Sequence, residues 1–118
     1  SNPNDAFAWF NLGSMLVTLN YPAQAADAFD NARRLGLPWR MLWYQFEPFS
    51  AYYQVGRFQE VIALADATLR NVDSIEEIFY WKGMGLAALG DRDGAIEAWR
   101  AALRLNSNYT PAITALGM

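Results

Sequence analysis

The sequence predicts an all-α fold built of three helical hairpins, and three observations predict it. Apolar residues recur at three- and four-residue spacing through most of the chain, the period of a helix with one buried face. Segments 18–38 and 88–108 align at a constant offset of 70, matching Ala25 with Ala95, Phe29 with Trp99, Ala32 with Ala102 and Leu35 with Leu105. Upstream the same offset pairs Trp9 with Phe79, Gly13 with Gly83 and Leu16 with Leu86, while Gly56 stands 34 residues before Gly90 and marks a middle unit.

Each unit reads as two amphipathic helices joined by a tight turn. The first comprises AFAWFNLGSMLVTL (6–19) and AQAADAFDNARRL (23–35), joined at Asn20-Tyr21-Pro22. The second comprises FSAYYQV (49–55) and FQEVIALADATLRN (58–71), joined at Gly56-Arg57, and the third IEEIFYWKGMGLAAL (75–89) and RDGAIEAWRAALRL (92–105), joined at Gly90-Asp91. Asn and Gly suit these turns because they tolerate the left-handed conformation that ends a helix. Gly13, Ala25, Ala32, Gly83, Ala95 and Ala102 stand where a neighbouring helix must come close. Pro48 lacks an amide hydrogen and would clash with the carbonyl four residues earlier, which predicts a kink or break near Phe46–Glu47. Ser74 and Glu77 have capping-box spacing.

Composition narrows function mainly by exclusion. At 118 residues and 53% hydrophobic content the chain can bury a real core and is expected to form a single domain over 1–118. A net charge of -3, a pI near 4.7 and nine scattered Lys and Arg residues offer no field for a phosphate backbone, so nucleic acid is not an expected partner. Without cysteine or histidine there is no thiolate chemistry, and the commonest general base and zinc ligand are missing. No apolar run approaches the roughly 20 residues that span a bilayer, so no membrane insertion is expected. The start at Ser1-Asn2-Pro3 without methionine fits a piece excised from something longer.

The remaining polar clusters read as architecture. Glu76-Glu77 falls at a helix N-terminus and Asp91-x-Asp93 in a turn, where carboxylates favour the helix dipole and cap amides. DRDG (91–94) lacks the glycine and distal glutamate of a calcium loop, and Gly83-Met84-Gly85 lies within a helical pattern, not at a strand-to-helix turn. No catalytic residue, metal site or cofactor is expected, and the chain is not read as an enzyme.

The pattern Trp9-x2-Leu12-Gly13-x2-Leu16 followed by Ala25, Phe29, Ala32 and Pro38 resembles the tetratricopeptide repeat, a helix-turn-helix unit of about 34 residues. The third unit matches in Phe79, Gly83, Leu86, Gly90, Ala95, Trp99, Ala102 and Leu105, with Lys82 in place of the usual leucine. The second departs most: Pro48 and Phe49 occupy the leucine and glycine positions, Ala65 the large aromatic position and Thr68 the last small one. The resemblance implies a right-handed α-solenoid with repeats at 6–39, 40–74 (divergent and kinked at Pro48) and 75–108. Segment 109–118 then forms either a capping helix or a truncated fourth repeat. GLPWRMLWYQF is also similar to repeats that accompany papain-like C39-type peptidase domains in bacterial proteins.

Such arrays line a concave groove with side chains from the first helix of each unit, and the family's groove positions fall here on three sets of residues. They are Phe7, Phe10, Asn11, Ser14, Val17 and Thr18; then Trp43, Phe46, Glu47, Ser50, Tyr53 and Gln54; then Glu77, Tyr80, Trp81, Met84, Ala87 and Ala88. Where one class of these proteins grips a peptide carboxylate with cations, this chain has Phe10, Ser14, Glu47, Glu77 and Trp81. An anionic peptide end is therefore disfavoured. The strip suits an apolar or proline-containing segment, or a basic residue stacked on a ring.

Phe10, Phe46, Tyr53 and Tyr80 suit packing between first helices as well as groove contact, whereas Trp43 and Trp81 are bulkier than their positions usually carry and are read as groove residues. In the WYQFEPFSAYY stretch, Tyr44, Phe49 and Tyr52 are expected to face the interior, and Trp43, Phe46 and Tyr53 the groove. The resemblance thus implies a non-catalytic protein-binding scaffold. The alternative is a docking domain of a larger bacterial protein, its groove filled intramolecularly or by a homodimer.

Overall fold

The computed structural model describes residues 4–117, so Ser1–Pro3 and Met118, the last residue of the expected cap or fourth repeat, lie outside the described residues. Among the described residues there are seven α-helices, one 3-10 turn and no strand. The chain divides into two compact units between Arg57 and Phe58. The first holds α1 (Ala6–Thr18), α2 (Pro22–Arg34), the 3-10 turn Trp39–Trp43 and α3 (Glu47–Gln54). The second holds α4 (Phe58–Leu69), α5 (Glu76–Ala88), α6 (Arg92–Leu105) and α7 (Thr110–Ala115). The middle pair of sequence segments therefore contributes one helix to each unit.

In the first unit α1 begins where the Asp5 carboxylate accepts hydrogen bonds from the amides of Phe7 (3.0 Å) and Ala8 (3.3 Å). It ends where Asn20 takes φ 66°, which lets the Tyr21 amide reach back to the Leu16 carbonyl at 2.8 Å. Pro22 opens α2, where its missing N–H removes nothing the helix would use. Both α1 and α2 pack against α3. The hairpin closes tightly because Gly13 faces the Phe29 ring: a Cβ on Gly13 would lie 2.5 Å from that ring. Phe29 in turn meets Phe10 at 5.3 Å between ring centroids.

An ion-pair network ties α3 to α2. The Tyr52 side chain is fully buried, and its hydroxyl donates to Asp30 at 2.8 Å while accepting from Arg33 at 3.1 Å. Arg57 grips both oxygens of Asp30 at 2.9 Å and lies 4.5 Å above the Tyr52 ring. Burial alone would raise the Asp30 pKa, but hydrogen bonds from Arg57 and Tyr52, with the charges of Arg57 and Arg33, hold it below its ordinary value of 3.8. A depressed folded-state pKa gives stability that is present above the ordinary value and lost as pH falls through the folded one. The melting temperature should therefore fall below about pH 4 more steeply for the natural chain than for Asp30→Asn, which should itself be less stable at pH 7 by about 0.5–1 kcal/mol, because solvent screens a pair this open. Parallel pH profiles of the two melts check this.

Pro48 does not kink a continuous helix; it stands in the first turn of one that starts at Glu47. The preceding 3-10 turn ends at Trp43, and Tyr44 (φ -129°) and Phe46 (φ -109°) lie outside helical geometry. This corrects the expected direction of Tyr44, which is 78% exposed, whereas Phe49 and Tyr52 are fully buried. A helical register cannot be carried across the break.

In the second unit α5 packs against both α4 and α6, and α7 against α6. Gly85 brings α5 onto α4, since an added Cβ would meet Ile62 at 2.9 Å. Lys82 pairs with Asp66 at 2.8 Å across the same helices. Trp99 lies against Gly83 and joins Ala95, Ala102 and Ala112 in a cluster that α7 covers. Asp91 caps α6 by accepting from the Gly94 amide at 3.0 Å. Ser74 does not cap α5: the position before the helix is Ile75, and no side-chain cap is made there.

Candidate functional site

The site residues expected from the sequence fall in both units. In the first unit the two ends of the strip behave differently. Phe7 is 44% exposed, but Phe10 is wholly buried against Phe29 and serves the hairpin core instead of a surface. Trp43, Phe46, Glu47 and Tyr53 are half-buried, so each keeps part of its side chain in water. The 3-10 turn presents Trp43 and α3 presents Tyr53, with Phe46 and Glu47 at the junction. Of the accessory positions, Val17 is half-buried and Asn11 exposed; Thr18 bonds the Ser14 carbonyl at 3.2 Å, and Ser50 accepts from Gln54 at 2.9 Å.

Three polar atoms of this unit stand out. Ser14 Oγ, Trp43 Nε1 and Glu47 Oε1 are buried and make no hydrogen bond among the described residues. Other buried polar groups are satisfied: the Tyr52 hydroxyl through its network, and Thr68 Oγ1 by donating to the Leu64 carbonyl at 2.7 Å.

The second unit arranges its aromatics as a connected row. Trp81 donates from Nε1 to Glu77 at 3.2 Å, one helical turn away. Its ring meets Tyr80 edge-on at 5.3 Å, and Tyr80 meets Tyr109 edge-on at 6.1 Å. Burial pushes the Tyr109 phenol well above its ordinary pKa, and the Glu77 carboxylate adds to the shift. Met84 and Ala87 lean on the Trp99 cluster, half-buried, while Ala88 is exposed. Tyr109 is the surface residue that sequence reasoning missed. The available signal was an aromatic directly before Thr110-Pro111, the start of a helix that must lie on α6.

Two surface hollows of about 440 and 630 Å³ lie in the second unit, the first lined by residues of α5, α6 and the turn between them, including Phe79, Lys82 and Glu97, and the second by α6 residues including Asp93, Arg100 and Arg104. They contain none of the predicted site residues and are open dips with charged rims. Among the described residues no cluster of three acids could hold a metal ion, and no helix is long and apolar enough to cross a membrane.

Comparison with known proteins agrees with this geometry. Residues 76–109 match the model of the tetratricopeptide repeat family. Among solved structures, the crystal structure of YrrB, described as a TPR protein with an unusual peptide-binding site, superposes with a TM-score of 0.85 at 19% identity, covering 97% of this chain and 58% of that one. The crystal structure of MamA superposes with a TM-score of 0.82 at 19% identity, covering 94% of this chain and 64% of that one. This chain therefore spans less than two thirds of the length of either. No curated protein matches by sequence. Residues 76–109 thus match the tetratricopeptide-repeat family, in a chain whose fold is the all-α solenoid class that YrrB and MamA share.

Proposed function

We propose that this chain is a non-catalytic binding module for a peptide or protein segment of apolar or proline-containing sequence. The fold supports protein–protein interaction in general, and a peptide-binding site is described for YrrB, which shares it. The observation that carries the reading is that three aromatic side chains of the first unit, Trp43, Phe46 and Tyr53, are half-buried and so keep part of their surface open. Rings partly open to water are the side chains that gain most when a partner covers them, about 2 kcal/mol or more for a central anchor. The Tyr80–Trp81 pair and Met84 offer a second contact surface in the other unit.

An array of N-acetylated, C-amidated decapeptides, one half rich in apolar and prolyl residues and the other rich in Asp and Glu, tests this. The apolar half should be retained and the acidic half not, because Glu47 and Glu77 repel anions. Trp43→Ala and Trp81→Ala should each lower retention at least tenfold with helicity kept. Equal retention of both halves, or none, would refute the reading.

One observation favours a second reading, a docking or self-association domain. Leu12, Met15 and Leu19 form an apolar stripe along α1 and are 40%, 59% and 56% exposed. Sedimentation equilibrium tests its self-association form: a concentration-dependent dimer supports that form, and a monomer removes it.

A further inference from the structure

The second unit gathers three rings and a carboxylate from α5 and the residue that opens α7. Trp81, Tyr80 and Tyr109 follow one another at 5.3 and 6.1 Å between ring centroids, with interplanar angles of 70° and 79°. Glu77 Oε2 accepts from Trp81 Nε1 at 3.2 Å, which fixes the acid beside the row. Its charge reaches the far end as well: after burial, Glu77 is the largest cause that lifts the Tyr109 phenol above its ordinary pKa, ahead of Tyr80 and Glu76. The four groups therefore converge. They are also open to water, since Glu77, Tyr80, Trp81 and Tyr109 are all half-buried. Tyr80 and Tyr109 rest on the Trp99 cluster, so the area they expose lies on the side away from it.

Rings nearly at right angles present faces in more than one direction, and each face carries the negative side of a quadrupole. With Glu77 beside the row and Glu76 near its end, this surface favours positive charge. A peptide carboxylate would be repelled. An apolar side chain would cover the rings but strip water from Glu77 without replacing its hydrogen bonds. A lysine ammonium would meet the acid only as a point charge, whereas a guanidinium lies flat on a ring and donates to a carboxylate from its own plane. One indole N–H does not saturate a carboxylate, which has about four acceptor sites. The first unit holds such an arrangement internally: Arg57 lies 4.5 Å above the Tyr52 ring and grips both oxygens of Asp30 at 2.9 Å, in a pair partly open to water.

We propose that Tyr80, Trp81, Tyr109 and Glu77 form a subsite for an arginine side chain of the bound segment. The guanidinium stacks on the row of rings and donates to the Glu77 carboxylate. The partner is thereby narrowed to an apolar or proline-containing segment with an arginine at a fixed place. This inference rests on the peptide-binding reading above.

The test uses the most strongly retained capped decapeptide from the array, remade as a series in which arginine replaces each residue in turn. Affinities are measured by fluorescence anisotropy against the natural chain, Glu77→Gln and Tyr109→Leu. Arginine at one position should strengthen binding to the natural chain about fivefold, lysine there less, and citrulline, which keeps the shape without the charge, not at all. In both variants that gain should shrink below about twofold. Glutamine can still accept from Trp81 Nε1 and leucine can still cover the Trp99 cluster, so circular dichroism should show the helices intact. A flat series, an equal gain at every position, an equal gain from lysine or citrulline, or a gain undiminished in Glu77→Gln would overturn the subsite and leave peptide binding standing. Failure of the natural chain to retain any decapeptide would instead overturn the binding reading beneath it.

Discussion

Phe29→Ala should destabilise the chain by about 3–5 kcal/mol, the usual cost of deleting a large buried ring. Phe29 is 1% exposed, packs at 5.3 Å on Phe10 and fills the space that Gly13 leaves open. Collapse cannot heal the cavity, because Gly13 has no side chain to move in and the flanking residues Ala25, Ala28 and Ala32 are small and already buried. Against a total stability of about 5–15 kcal/mol, so large a loss should lower the denaturation midpoint severely. Urea unfolding followed by circular dichroism measures it; a midpoint near that of the natural chain would show that the α1–α2 hairpin is not held together here.

Gly83→Val approaches the same magnitude from the opposite direction. A Cβ at this position would collide with the Trp99 indole, whose Cδ1 and Cε2 would lie 2.6 and 2.8 Å away. The ring has nowhere to go: it is 4% exposed, donates from Nε1 to the Tyr80 carbonyl at 3.2 Å, and is walled by Ala95, Ala102 and Ala112. Replacing glycine inside a helix recovers roughly 0.5 kcal/mol of backbone propensity. Overpacking costs about 1–3 kcal/mol, and a rigid, hydrogen-bonded neighbour places this site at the upper end, so the steric term wins. Thermal melts should fall accordingly, with the near-ultraviolet dichroism of Trp99 altered. An unchanged melt would mean that α5 and α6 are not in close contact at Gly83.

Much of this architecture is legible in the sequence because it is written in residues with few alternatives. Asn20, Gly56 and Gly90 adopt positive φ at the turns where their types demanded it. Gly13 and Gly83 face the large rings of Phe29 and Trp99, the pairs related by the 70-residue offset. What escaped the sequence depends on geometry that residue type does not encode. Pro48 marks a disruption but does not say whether a helix bends or begins anew, and the 3-10 turn before it carries Tyr44 outward. Ser74 and Glu77 have the spacing of a capping box, yet the helix starts a residue too late for Ser74 to cap it. The Asp30–Tyr52–Arg57 network joins residues more than twenty positions apart, with no periodic signal to link them.

The candidate surface divides along the same line. For Tyr80 and Trp81 a place within α5 was readable from the helical period, whereas Trp43 and Phe46 flank the break that interrupts it. The burial of Phe10 was not readable, since the same position serves core or surface according to what packs on it. The unpaired state of Trp43 and Glu47 was also hidden, because it follows from the missing helical turn and not from either residue's identity.

Binding of a peptide segment at Trp43 is the central claim, and the chain's five indole N–H groups supply the reporter. In a nitrogen-15 spectrum assigned with Trp43→Phe, titration with the retained capped decapeptide should move the Trp43 indole signal saturably as the peptide covers its half-buried ring. The Trp99 signal, already bonded to the Tyr80 carbonyl, should stay in place. A Trp43 signal that does not move at saturating peptide would contradict the account.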